Sequence, residues 1–245
     1  MKSNNNINRR EFLGYFGCCA CGLMIPSCTN APITDRRQLK LIPESTLNRQ
    51  AAQLYERVKA KTKLSDDKKQ LEEIKEIGSK IEESVSSYFD SAGKKDPTYN
   101  FQWEYILVDN DKIKNAWCMP GGKIAFYSGI LPVAQNEDGV ASIMGHEIAH
   151  AVARHSAERM STAILVDAGT YALERLVLGQ RLPSISKQLR TYGLDLPFNR
   201  KQESEADYLG IIFANLSGYN IDESYKIWER MKEEGGAGPS EFFST

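Results

Sequence analysis

Cysteine is nearly absent from the body of this chain. Of the five cysteines among 245 residues, Cys18, Cys19, Cys21 and Cys28 fall within the first 28 positions, and Cys118 stands alone further on. A disulfide framework needs cysteines distributed through the folded region. A fold held together by disulfides is therefore not expected.

A surplus of positive charge is also missing. The 31 basic and 32 acidic residues give a net charge of −1, and the basic ones are scattered rather than clustered. Nucleic-acid binders carry a basic patch or stripe, so DNA and RNA are not expected partners. The length and the 41% content of hydrophobic residues suit one globular domain with a sizeable core.

The apolar run nearest the N-terminus is too short to span a membrane. It extends over 14 uncharged residues from Phe12 to Ile25, whereas a spanning helix needs about 20. Lys2, Arg9 and Arg10 precede it, and this order predicts a signal peptide over residues 1–27. The arginine pair, followed by Glu-Phe-Leu, resembles a twin-arginine export signal. The alternative is the basic start of a general secretory signal.

The residues around Cys28 resemble a lipoprotein processing site. Ser27 is the small residue that such a site places before the cysteine, whose thiol then carries the lipid. We therefore predict a lipid anchor at Cys28 and a tether over residues 28–43 that lies on the domain. Thr29, rather than Asp, favours sorting to the outer membrane. The expected location is the periplasm-facing side of a bacterial cell envelope.

The remaining residues, 44–245, are predicted to form one α+β domain. An alternating and then apolar segment, Phe101–Val108, predicts a strand. A second extended segment, Asn115–Tyr127, is interrupted by Pro120, which removes a hydrogen-bond donor, and is therefore expected at a sheet edge. Helical spacing recurs at about residues 45–60, 65–91, 138–160, 161–178, 200–214 and 222–234.

All three histidines of the chain lie within ten consecutive residues. His146-Glu147-Ile148-Ala149-His150 has the HExxH pattern, and residues four apart share one face of a helix, so both imidazoles can bind one zinc ion. His155 would lie about 140° further around the same helix. It is expected to support a ligand from behind, cap the helix or pack. The third ligand that catalytic zinc requires should then be Cys or a carboxylate.

A predicted helix further along offers carboxylates for this role. Glu203 and Asp207 are four residues apart and share a face, whereas Glu205 points nearly the other way. One of the pair could bind the metal while the other orients a ligand imidazole. The alternative is an acidic turn exposed to solvent.

Taken together, these motifs resemble the zinc metallopeptidase family of the CAAX prenyl proteases and the bacterial heat-shock protease HtpX. Within it, the start at Cys28 resembles the single-domain periplasmic lipoprotein branch. The resemblance implies a gluzincin-type, mostly helical domain with a small antiparallel sheet whose edge strand borders the active-site cleft. It also implies one Zn²⁺ per chain, held by His146, His150 and Glu203, with Asp207 behind them and Glu147 as the catalytic base. The implied substrate-binding edge strand contains Ala116, Trp117, Pro120, Gly121 and Gly122.

The expected function is cleavage of peptide bonds in misfolded or unassembled cell-envelope proteins by a zinc metalloendopeptidase. The main alternative is a periplasmic chaperone or assembly factor for outer-membrane proteins, with proteolysis secondary. A cysteine hydrolase using Cys118 is a third reading, and it needs a histidine nearby. Residues 180–199 are predicted to form a lid over the metal. Tyr192, Arg200 and His155 are the candidates for the group that stabilises the oxyanion. Oligomeric state does not follow from the sequence.

Overall fold

The computed structural model describes residues 28–164 and 200–233. The predicted signal peptide at 1–27 and the predicted lid at 180–199, with Tyr192, lie outside these ranges. Within them, no helix combines the length and the apolar character that crossing a membrane requires.

The described residues are mostly helical, which confirms the α+β class. The strands are β1 (Cys28–Asn30), β2 (Arg37–Leu39), β3 (Glu104–Val108), β4 (Ala116–Met119) and β5 (Lys123–Tyr127). The helices are α1 (Glu44–Lys61), α2 (Lys68–Ser91), α3 (Leu131–Ala134), α4 (Glu137–Val152), α5 (155–164), α6 (Arg200–Leu216) and α7 (Asp222–Glu233).

The main sheet has three strands in the order β3-β5-β4. Strands β4 and β5 form an antiparallel hairpin, as expected, whereas β3 and β5 are parallel, so this sheet is mixed. The chain leaves β3 and crosses to the far edge as β4 before it returns as β5. Strand β4 lies at an edge, as predicted. Strand β5 is central, because Pro120 and the two glycines after it lie in the hairpin turn and leave the β5 donors intact.

Helix α4, which carries the HExxH pattern, is the centre of the core. Every residue from Ala141 to Val152 is buried. The helix packs against α6, α2 and β4. Along β4, side chains alternate between two cores as the pleat requires: Ala116 and Cys118 join the α4 core, and Met119 joins the core around α1. This packing sets β4 beside the HExxH residues.

The crossing of α4 and α6 is close enough for backbones to touch. A Cβ atom on Gly210 would lie 2.7 Å from the backbone nitrogen of His146, and one on Gly145 would lie 2.7 Å from the Gly210 carbonyl oxygen. Real Cβ atoms essentially never approach other atoms that closely. Glycine at both positions therefore lets α6 bring Glu203, two turns before Gly210, to the histidines of α4.

The predicted single helix over residues 138–160 is in fact two helices. Asn136 caps the start of α4, since its side chain accepts a 2.8 Å hydrogen bond from the Gly139 amide. The helix ends at Val152, and Arg154 takes a left-handed conformation with φ of 61°. Helix α5 then starts at His155. The expected 140° rotation of His155 away from the metal face therefore does not apply.

The segment from residue 28 to 43, called the arm here, packs on the outside of this break. Strands β1 and β2 form a two-stranded antiparallel hairpin. Gln38, which is 4% exposed, donates a 2.9 Å hydrogen bond from Nε2 to the Ala153 carbonyl at the end of α4. The Leu41 amide donates to Oγ of Ser161 on α5 over 2.9 Å. The arm thus touches both helices that carry the histidines.

Candidate metal centre

Two imidazoles and one carboxylate converge in the buried space between α4 and α6. Nε2 of His146 lies 3.0 Å from Nε2 of His150. Oε2 of Glu203 lies 3.5 Å from the former nitrogen, and its Oε1 lies 3.8 Å from the latter. Of the described residues, these three form the group of His, Cys, Asp and Glu side chains whose ligand atoms all lie within 4.8 Å of one another.

This donor set fits a zinc ion. Zinc–nitrogen and zinc–oxygen bonds of about 2.0–2.2 Å place neighbouring ligand atoms of a tetrahedral site about 3–4 Å apart, which is the spacing found. Oε2 of Glu203 is buried and has no hydrogen-bond partner among the described residues. A buried carboxylate oxygen without a partner is costly, and coordination of a cation would satisfy it.

The ionisation of the histidines also favours a cation at this point. Burial lowers the pKa of His146, but the neighbouring carboxylates of Asp207 and Glu203 outweigh burial and raise the pKa to about 10. Burial and the charge of His146 lower the pKa of His150 well below its usual value. Without a metal, His146 therefore carries the extra proton beside the other donor atoms, and binding of a divalent ion would displace that proton, because a metal-binding imidazole must be neutral.

Each metal-facing ring is held from behind by a second residue. Nδ1 of His146 lies 2.9 Å from Oδ1 of Asp207. A carboxylate only accepts, so Nδ1 carries a proton, and Nε2, which lies beside Glu203, is the nitrogen that can bind a metal once it has lost its own proton. This is the place expected for Asp207. The edge of the Trp228 ring on α7 covers His146 from another side, with ring centroids 6.1 Å apart.

Behind His150 the structure holds a residue pair that sequence reasoning did not connect. Nδ1 of His155 lies 2.8 Å from Nδ1 of His150, and Nε2 of His155 lies 3.0 Å from Oε2 of Glu205. His155 supports a ligand from behind, one of the three roles considered for it. It is fully buried on the far side of His150, which removes it from the candidates for oxyanion stabilisation. Glu205 points away from the metal, as expected, yet it is connected to it through His155.

Glu147 is buried beside the donor set and is fixed by the edge strand. Its carboxylate accepts a hydrogen bond from the Cys118 backbone amide in β4, and its Oε1 has no partner among the described residues. Burial, reinforced by the charge of Glu203, raises the pKa of Glu147 to about 8, although His146 and the Cys118 amide oppose the shift. Such a carboxyl group is suited to taking up and releasing a proton near neutral pH.

Arg159 on α5 is another residue that the sequence did not single out. Burial lowers its pKa to about 10, and the charge of Glu203 opposes this. The arginine is therefore close enough to interact electrostatically with Glu203, and its charge also lowers the pKa of His150. Arg200, an expected oxyanion candidate, is exposed at the start of α6. The sequence did not predict that Arg159 lies near Glu203, because residues 155–160 were expected to continue α4 rather than to belong to a separate helix.

Cys118 does not have the environment of a nucleophile. Its side chain is buried, and burial together with the charge of Glu147 raises its pKa well above the usual value. A reactive cysteine needs a lowered pKa and a basic partner. The three histidines face Asp207, Glu205 and one another instead. The cysteine-hydrolase reading therefore has no support.

The edge-strand residues lie next to this centre. Ala116 and Trp117 belong to β4, whose partner in the sheet is β5, and within the described residues no strand pairs with its outer edge. Pro120, Gly121 and Gly122 form the turn beyond it, with φ of 84° and 80° at the glycines. The predicted edge therefore extends over β4 and the turn but not over β5.

Comparison with known proteins gives the same assignment as the geometry. The sequence profile of peptidase family M48 matches residues 75–245, which contain the whole donor set. The resemblance seen in the motifs is thus confirmed at the level of the family.

The chain is similar to the mitochondrial metalloendopeptidase OMA1 of Saccharomyces cerevisiae, with 36% identity over 63% of this chain and 48% of the relative. It is 38% identical to OMA1 of Schizosaccharomyces pombe over 60% of this chain and 43% of the relative. It is 31% identical to the beta-barrel assembly-enhancing protease of Escherichia coli over 54% of this chain and 28% of the relative. The chain thus spans less than half the length of these relatives.

Proposed function

Because this chain belongs to peptidase family M48, we propose that it is a zinc-dependent metalloendopeptidase. The observation that carries the proposal is the convergence of His146, His150 and Glu203 within 4.8 Å of one another, with the buried carboxylate of Glu147 beside them. Three protein ligands leave one corner of a tetrahedral zinc site for water or substrate, which is the arrangement of catalytic rather than structural zinc.

The residues around the donor set provide the proton transfers that peptide hydrolysis needs. When bound, zinc polarises the scissile carbonyl and lowers the pKa of a water molecule. Glu147 takes the proton of the attacking water on its Oε1 and delivers it to the leaving amine. Asp207 keeps the proton of His146 on Nδ1, so that Nε2 stays a donor of its lone pair. The Cys118 amide holds Glu147 in place during both transfers.

We propose an extended, unfolded segment of polypeptide as the substrate. Such a segment adds to the outer edge of β4 as a further strand, with main-chain hydrogen bonds that place little demand on its sequence. The Cys118 amide links that edge to Glu147, so the added strand runs past the catalytic base. Tolerance of sequence suits a quality-control protease for misfolded or unassembled envelope proteins. The name of the Escherichia coli relative, which refers to beta-barrel assembly, supports this substrate class.

We further propose export and lipid attachment at Cys28, with the protein facing the periplasm, in the outer membrane. Cys28 starts β1 and pairs with Leu39 in the arm, so a lipid there would hold the arm and the metal centre beside the membrane. Metabolic labelling with a radioactive fatty acid should mark the wild type and not Cys28→Ser. Equal labelling of both would remove the anchor from the proposal.

The test of the proteolytic function is Glu147→Gln in the full chain. The variant should retain zinc by elemental analysis, because the three ligands remain, and should lose cleavage of an unfolded protein substrate. Glu137→Gln, an exposed glutamate in the first turn of the same helix, is the matched control and should cleave normally. Undiminished cleavage by Glu147→Gln would refute the mechanism. Full complementation of a deletion strain by Glu147→Gln would favour the chaperone alternative instead.

A further inference from the structure

A continuous row of polar contacts runs from the arm to a metal ligand. It starts at Arg36, whose Nε lies 2.6 Å from Oε2 of Glu205. The same carboxylate oxygen lies 3.0 Å from Nε2 of His155, and Nδ1 of His155 lies 2.8 Å from Nδ1 of His150. Apart from Arg36, which is half-buried, every member is buried. Three contacts therefore separate the arm from the imidazole that faces the metal site.

The direction of these hydrogen bonds follows from the chemistry of the two ends. His150 binds a metal through Nε2, so its Nδ1 carries the proton and donates to Nδ1 of His155. Nδ1 of His155 then lacks a proton, so its Nε2 carries one and donates to the Glu205 carboxylate. Both rings are neutral in this arrangement, and each ring nitrogen has one role. This pattern of donors and acceptors requires a carboxylate oxygen of Glu205 within hydrogen-bond distance of the Nε2–H group of His155.

Arg36 is placed so that it can hold Oε2 of Glu205 in this position. Its Nε contacts Glu205, while its two terminal nitrogens each donate to one oxygen of Glu158 over 2.7 Å. The planar guanidinium thus binds two carboxylates at once through three nitrogens, and the single ammonium group of a lysine cannot reproduce this geometry. Thr34 adds a hydroxyl bond to the other oxygen of Glu205, and Gln202 donates a 2.9 Å bond to Glu158. The arm thereby holds α5 and α6 in register at the point where His155 bridges to α4.

We propose that the arm is a positioning element of the metal centre, in which Arg36 fixes Glu205 so that His155 holds the His150 ring in its metal-binding orientation. The inference rests on the proposed function, because it takes His150 as a zinc ligand. Partners that orient metal-binding histidines from behind contribute about 10–100-fold to metal affinity. The row extends this effect two residues beyond His155, through Glu205 on α6 to Arg36 in the arm.

The test is the zinc dissociation constant of the full chain, measured by competition with a coloured chelator. Arg36→Gln should bind zinc about tenfold more weakly than the wild type. Arg37→Gln, the same change at the exposed neighbouring position, should bind like the wild type. Arg36→Lys keeps the charge but loses the planar set of N–H donors, so it should weaken zinc binding by less than Arg36→Gln does. Unfolding of the metal-free proteins in urea shows whether each variant is folded, and Thr34→Val replaces Arg36→Gln if the latter is not.

A double-mutant cycle separates this row from a merely structural arm. If Arg36 acts through His155, Arg36→Gln should change the zinc dissociation constant little once His155→Gln is present. Effects that simply add would overturn the proposal, and so would a folded Arg36→Gln that binds zinc like the wild type. A wild-type chain that binds no zinc would instead overturn the proposed function. Zinc binding by the wild type with an unaffected Arg36→Gln would remove this inference alone.

Discussion

Gly210→Ala should weaken zinc binding by changing how closely α6 packs against α4. The new Cβ would lie 2.7 Å from the backbone nitrogen of His146 and 2.9 Å from its Cα, whereas an ordinary contact starts at 3.4 Å. Both groups it meets are backbone within a buried helix, so neither can turn away. Helix α6 must therefore move from α4 by about 0.7 Å, the difference between the two distances.

This displacement is large compared with the tolerance of metal–ligand distances, but its expected effect on the free energy of unfolding is modest. Glu203 lies about two turns before Gly210 on the same helix, so a rigid shift of α6 carries its carboxylate outwards. Zinc–ligand distances tolerate about ±0.2 Å, which is well below the shift. Overpacking costs about 1–3 kcal/mol, but alanine also improves helix propensity by about 1 kcal/mol over glycine. The free energy of unfolding should therefore fall by about 2 kcal/mol or less, while zinc binding weakens by about tenfold or more.

The two quantities are measured separately, by urea unfolding of the metal-free protein and by chelator competition. Asn215→Ala, an exposed position on α6 away from the crossing, is the control and should leave the zinc dissociation constant unchanged. A folded Gly210→Ala with wild-type zinc affinity would show that the helix crossing does not position Glu203.

Two further outcomes follow from the residues behind the histidines. Asp207→Asn should weaken zinc binding about 10–100-fold, because an uncharged amide replaces the carboxylate that accepts the His146 proton; chelator competition checks this, and wild-type affinity would contradict it. Burial alone would raise the pKa of Glu205, but its bonds to His155, Thr34 and Arg36 lower it from 4.5 to about 2. The stability that ionised Glu205 provides is therefore complete above about pH 5 and is lost as the pH falls towards 2. In urea unfolding at a series of pH values, the difference between wild type and Glu205→Gln should shrink over that range, and a difference independent of pH would contradict the assignment.

Local patterns in the sequence were enough to predict most of the helices and the two histidines of the donor set. The HExxH spacing depends only on helix geometry, and α4 is helical from Glu137 to Val152, so His146 and His150 share a face. The role of Glu203 needed more than spacing, since Glu203 and Asp207 share a face equally well. The family resemblance distinguished them, and in the structure Glu203 lies beside Nε2 of both histidines whereas Asp207 contacts Nδ1 of His146.

The parts that could not be predicted depend on single backbone conformations or on distant contacts. Arg154 adopts a left-handed φ that favours glycine, and no local pattern signals it. Without that turn, His155 would continue α4 and face away from His150. The parallel pairing of β3 with β5 depends on where the intervening strand docks. A pattern of alternating residues contains no information about the direction of the neighbouring strand.

In the proposed mechanism, the catalytic base and the substrate-binding strand are not independent of each other. Glu147 accepts its hydrogen bond from the Cys118 amide, and Cys118 lies in the middle of β4. A substrate strand that pairs with β4 is therefore positioned against the same backbone that fixes the base. On the opposite side, His150 is connected through His155 and Glu205 to the arm. In the proposed mechanism the substrate-binding strand is therefore one hydrogen bond from the catalytic base, and the arm is three polar contacts from the imidazole of His150.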